Sequence, residues 1–122
     1  MAERAGEICL LRELLNDPNV QGKYVRVTGY VVKQDFSNPE QQLVQISHDG
    51  SSIWVDISLV VAKDLKVDSL VQFIGQINPS STGAAYGSWH LSAKVFRGVD
   101  GLDMRLYEEA LLARREFLAA MA

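Results

Sequence analysis

The side chains best suited to chemistry in this sequence are few: two histidines, one cysteine and two tryptophans among 122 residues. His48, Asp49 and Asp56 resemble metal ligands by type and fall on one predicted hairpin. They lack the compact spacing of a metal site, and Asp49 precedes Gly50 in a dipeptide that the turn needs for its own geometry. Cys9 has no histidine near it in sequence and reads as a buried structural thiol. No phosphate-cradling glycine loop, nucleophile elbow or paired-carboxylate motif occurs. The expectation is a protein without catalytic residues, cofactor or metal. What remains is stacking chemistry. Trp54 is the best platform for a base, with Lys33, Phe36 and Tyr86 near it along the chain; Lys94, Phe96 and Arg97 form a second group, for which an ordinary solvated face is the plainer reading. Lys33, Trp54 and Lys94 are the candidate DNA-binding residues.

Charge limits that chemistry. Twelve Lys and Arg against fifteen Asp and Glu give a formal charge of -3, which removes the basic balance that a stand-alone nucleic-acid binder uses to neutralise phosphates. Nucleic-acid contact is expected to be local or shared with a partner. A hydrophobic content of 48% over this length fits one compact domain. Glu3, Arg4, Glu7, Arg12 and Glu13 interrupt the apolar core that a signal peptide would need, and one cysteine forms no internal disulfide, so an intracellular protein is expected. Apolar runs such as Leu59 to Ala62 fall far short of the roughly 20 residues that span a bilayer, which predicts a soluble chain.

The elements that must position these residues follow from periodicity. Ile8, Leu11, Leu14 and Leu15 predict a short helix over residues 7–16, ended by Asp17-Pro18. From Gly22 the period becomes two, with Val25, Val27 and Val31 facing one way and Gly29 placed to bend a long first strand. Phe36 to Glu40 carries turn chemistry. Leu43 to Ser47 is a second strand with Val44 and Ile46 inward and Leu43, Gln45 and Ser47 outward. Asp49-Gly50 then returns the chain into a third strand, with Ile53, Val55 and Ile57 inward and Trp54, Asp56 and Ser58 outward. Residues 60–65 read as a turn, Leu70 to Ile77 as a fourth strand bent at Gly75, and 78–87 as a loop. A fifth strand follows, with Trp89, Leu91, Ala93 and Val95 inward and His90 outward. Asp103 sits where an N-cap would start a helix reaching Met121. Five short strands, two of them glycine-bent, predict a five-stranded OB-fold barrel at residues 22–99, between a short N-terminal helix and a long C-terminal helix at 103–121.

On a helical wheel the C-terminal helix has two apolar flanks: Leu106, Ala110, Ala113 and Phe117 on one, Met104, Tyr107, Leu111, Leu118 and Met121 on the other. Together they span about half the circumference, wider than the roughly 100° stripe that one buried contact needs. One flank can cover the barrel while the other binds a partner helix, with Ala110 and Ala113 allowing close approach. The plainer alternative is that the open end of the barrel absorbs the whole arc.

The run from Gly98 to Leu111 (GVDGLDMRLYEEAL), followed by a charged helix carrying Phe117-Leu118, resembles the small, or Ten-one, subunit family of the CST telomere complex. Val25 to Gly29 (VRVTG) and Gln72 to Gln76 (QFIGQ) match in the same order. A weaker likeness is to the smallest subunit of replication protein A. The first resemblance implies a non-catalytic OB subunit of a nuclear, telomeric complex. It would pair with the middle, Stn-one subunit partly through the terminal helix, and meet the large subunit indirectly. The complex would cap single-stranded telomeric DNA and recruit DNA polymerase alpha–primase. Under this resemblance the partner-binding residues are Leu106, Tyr107, Ala110, Leu111, Arg114, Phe117, Leu118 and Met121. Two rivals stay open: a replication-type small OB subunit, and a free-standing OB domain that binds single strands itself.

Overall fold

Alternating valines from Val25 onward, with a glycine in mid-run, yield one strand of fifteen residues in the computed structural model, which describes residues 6–62, 65–80 and 87–121. In chain order the elements are β1 (Glu7–Ile8), α1 (Leu11–Leu15), β2 (Tyr24–Asn38), β3 (Gln41–His48), β4 (Ser51–Asp56), β5 (Leu70–Pro79), β6 (Trp89–Gly98) and α2 (Met104–Met121). The first half of β2 pairs antiparallel with β5 and the second half with β3. Gly29 stands at the changeover, where a β-carbon would lie 3.1 Å from the Ser47 carbonyl oxygen. β3 and β4 are joined by Asp49 and Gly50, both at positive φ as a tight hairpin turn requires. β6 pairs antiparallel with β5 and parallel with β4, through Val55 and Leu91 and through Asp56 and Ser92, and this closes the ring. The result is a closed five-stranded mixed barrel of OB type with β1 as an extra strand.

The predicted inward residues Val25, Val27, Val31, Val44, Ile46, Val55 and Leu91 are fully buried in the barrel interior, and β5 adds Phe73 and Ile77 to them. α1 adds Leu11 and Leu14 to the core, and Val60, Ala62 and Leu65 pack against it from the β4–β5 connection, whose described residues turn at Ser58-Leu59 and at Val67-Asp68.

Four expectations need correction. The first helix begins at Leu11, not Glu7. Glu7 and Ile8 pair parallel with Val25 and Arg26, so the backbone groups of this stretch are satisfied across a sheet. The turn predicted over residues 36–40 tightens to Pro39-Glu40, because β2 and β3 pair as far as Asn38 and Gln41. Val95 points outward. β5 pairs Ile74 with Val95 but Gly75 with Ala93, leaving Lys94 as a bulge that reverses the alternation, so Phe96 turns inward and meets Phe73 at 5.5 Å between ring centroids. Leu43 and His90 lie on the outer face of the sheet yet are buried.

Among the described residues, no helix is long and apolar enough to cross a membrane.

Candidate interaction surface

α2 starts at Asp103, whose carboxylate oxygen accepts from the backbone N–H groups of Arg105 and Leu106 at 3.0 and 3.2 Å, the geometry of an N-cap. Only Met104 and Leu111 are buried along its eighteen residues, with Tyr107, Glu108 and Arg115 half-buried beside them. These five share one stripe, which faces the rest of the chain. The opposite flank is open: Leu106 is 54% and Phe117 63% exposed, and Ala110 and Ala113 between them are exposed too. Leu118 belongs by rotation to the docked stripe but lies beyond its last anchored turn and is exposed, and Met121, exposed too, falls between the two flanks. Arg114, also exposed, lines a hollow of about 180 Å³ with Ile8, Tyr107, Ala110 and Leu111.

Ion pairs hold the docked stripe. Arg115 spans the Glu13 carboxylate, its two terminal nitrogens 2.6 and 3.0 Å from the two oxygens, and also donates to the Ile8 carbonyl at 2.7 Å. Glu13 in turn accepts from the Leu10 N–H at 2.8 Å, capping the first turn of α1. Arg12 pairs with Glu108. The Arg115 hydrogen bonds hold the Glu13 carboxyl below the usual carboxylate range. Cys9 lies beside this joint, buried, and desolvation together with Glu7 and Glu13 pushes its thiol up to about 11. Sequence reasoning missed Glu13, Arg115, Arg12 and Glu108. They meet across some hundred residues, and the one local hint is the placing of Glu108 and Arg115 on the same stripe as Leu111.

The candidate DNA-binding residues divide. Lys33 is in register with Gln45 and Gln45 with Trp54, so Lys33 and Trp54 belong to one cross-strand row. Trp54 is half-buried and lines a cleft of about 220 Å³ with Leu15, Ile53 and Trp89. Lys94 is the exposed bulge of β6 and takes no part in that row. The neighbouring outer face is polar: Ser92 lies 3.2 Å from His90 and accepts from Asn78 at 2.9 Å, with the Asp56 carboxylate 4.0 Å from His90. Phe36 is exposed on β2, and Tyr86 lies outside the described residues. His48, Asp49 and Asp56 share the hairpin but do not meet on it, since Asp56 pairs with Leu43 at the far end from His48. Among the described residues no group of three or more His, Cys, Asp or Glu is placed to hold a metal ion. A second hollow that the sequence did not reveal, of about 100 Å³, gathers Arg26, Gln72, Ile74, Val95 and Arg97 on the outer face of β2, β5 and β6; Arg97 donates to Gln72 at 2.7 Å.

Residues 2–121 match the family model described as a telomere-capping CST complex subunit. The chain belongs to that family. As a CST subunit it has solved structural counterparts at low identity. One is a chain of the S. pombe Stn1–Ten1 complex, at 11% identity and a TM-score of 0.72, with 94% of this chain and 96% of that chain covered. Another is the telomere-capping protein Ten1 of S. pombe, at 15% identity and a TM-score of 0.64, with 92% and 99% covered. The hypothetical protein ygiW of E. coli shares the fold at 16% identity and a TM-score of 0.57, over 79% of this chain and 94% of that chain. No curated protein sequence matches the chain.

Proposed function

We propose that this CST subunit is a non-catalytic OB module that pairs with a Stn-one-type subunit through the open flank of α2, with Leu106, Ala110, Ala113 and Phe117 at the centre of the contact. The observation that carries this reading is the side of α2 on which those residues lie, away from the stripe anchored by Met104 and Leu111. A helix that is apolar on two sides and docked on one leaves the second to a partner. The small Ala110 and Ala113 suit close helix approach. The S. pombe structure described as a Stn1–Ten1 complex supports the choice of partner.

Within the assembled complex the subunit serves protection of single-stranded telomeric DNA in the nucleus and recruitment of polymerase alpha–primase, and it meets the large subunit through Stn-one. Its own contribution to strand binding is small. The net charge of -3 supports this, as does the mixture of Lys33 and Trp54 with Asp56 and His90 on the outer face.

Co-expression with the Stn-one-type subunit tests the proposal. A stable heterodimer that Phe117→Glu abolishes is expected, while titration of the isolated chain with a labelled telomeric single strand at physiological salt gives weak binding. Stable pairing with the middle subunit of replication protein A instead, or nanomolar strand binding by the isolated chain, would overturn it.

A further inference from the structure

Two buried apolar side chains are a slight anchor for a helix about 27 Å long at 1.5 Å per residue. The rest of the docking is polar and ordered. Consecutive residues of α1, the cation Arg12 and the anion Glu13, meet an anion and a cation two turns apart on α2, Glu108 and Arg115, with Leu111 buried between them. This alternation specifies register, because sliding α2 by two turns would set Arg115 against Arg12. It also specifies azimuth. Turning α2 by one residue step, 100°, would withdraw Arg115 from the Ile8 carbonyl and rotate the Leu106–Phe117 flank away from its outward position. Glu13 is the hinge point of the arrangement, since its one carboxylate takes the Leu10 N–H of α1 and both arms of the Arg115 guanidinium. Exposed ion pairs as such add little; a bidentate pair with a further backbone bond adds geometry.

We propose that Glu13 is a positioning residue for partner binding: through Arg115 it locks α2 in the register and azimuth that turn Leu106 and Phe117 outward. This rests on the reading of that flank as the Stn-one surface, but the lock itself is measurable without a partner. Hydrogen exchange of the full chain is compared for the wild type, Glu13→Gln, Arg115→Met and the surface control Glu40→Gln, and each protein is then titrated with the Stn-one-type subunit. In Glu13→Gln and Arg115→Met the barrel amides are expected to keep their protection, while α2 amides exchange about tenfold faster, the loss expected for one charge-assisted bidentate contact, and partner affinity falls in proportion to the fraction of chains in which α2 stays locked. Glu40→Gln leaves both unchanged. Wild-type α2 exchange in both variants would overturn the lock. So would loss of barrel protection in both, since Glu13 would then serve the fold as a whole. A loosened α2 with unchanged affinity would overturn the positioning role. Failure of the wild type to bind the subunit would instead refute the assignment of the partner surface, and the exchange data would still decide the lock.

Discussion

Gly75 and Ser92 approach so closely across the β5–β6 ladder that a β-carbon on Gly75 would stand 2.1 Å from the Ser92 carbonyl oxygen. The obstacle is backbone, so no rotamer change relieves it. Gly75→Ala is therefore expected to cost about 3 kcal/mol or more, at or above the upper end of overpacking penalties, by forcing the two strands apart beside the Lys94 bulge. Gly98→Ala, with nothing within 4 Å of the added carbon, is expected to stay within about 0.5 kcal/mol of the wild type. Denaturant melts of the two variants check both values.

The two flanks of α2 predict opposite results for the same substitution. Leu106→Glu and Phe117→Glu place a carboxylate on the open flank and are expected to leave circular dichroism and melting unchanged. They should weaken Stn-one pairing at least about a hundredfold, because the charge must be desolvated in the contact. Leu111→Glu buries its charge against the chain itself and is expected to undock α2 and lower the melting temperature. Pull-downs beside melting curves distinguish the outcomes.

Trp54 and Phe73 make a second contrasting pair. Phe73 is fully buried in the barrel, and Phe73→Ala is expected to cost about 3–5 kcal/mol. Trp54 is half-buried on the outer face in register with Gln45, and Trp54→Ala should cost well under that, about 1 kcal/mol, as for a side chain that retains solvent contact. Equal losses would place the indole in the core.

Cys9 gives a pH dependence with a definite sign. Its folded thiol, raised by desolvation first and by Glu7 and Glu13 next, titrates at about 11 against an ordinary value of 9.0. A raised pKa means the folded state holds the proton more tightly. The contribution is whole below about pH 9 and is lost as pH rises through about 11. Ellman's reagent is expected to leave the native thiol unmodified at pH 8 and to react rapidly in denaturant. Alkaline unfolding should move to higher pH in Cys9→Ala.

The barrel was legible because its inner face is written in alternating Val and Ile, and the Asp49-Gly50 turn because only that backbone geometry returns β3 into β4. The cap at Asp103 and the two flanks of α2 were legible for the same reason: the signal is local. What sequence could not carry was pairing. Glu7 and Ile8 continue a helical apolar spacing, and nothing nearby tells that β2 offers them a free edge. The bulge at Lys94 depends on the Gly75 approach in another strand, so the inversion of Val95 and Phe96 is invisible along β6 alone. The candidate site follows the same division. Leu106 and Phe117 are found by rotation about one helix, whereas Glu13 and Arg115 find each other only once the barrel has brought α1 and α2 together.

The parallel seam between β4 and β6 bears on how the chain is made. β2, β3 and β4 are synthesised before β6, and Val44, Ile46, Ile53 and Val55 have no closed interior until Leu91 arrives beside Val55. During that interval the half-built sheet presents an apolar face and an unpaired β4 edge, the state most open to wrong association. The ring is completed by its last strand, so the barrel against which α2 docks exists only once β6 has paired with both β4 and β5.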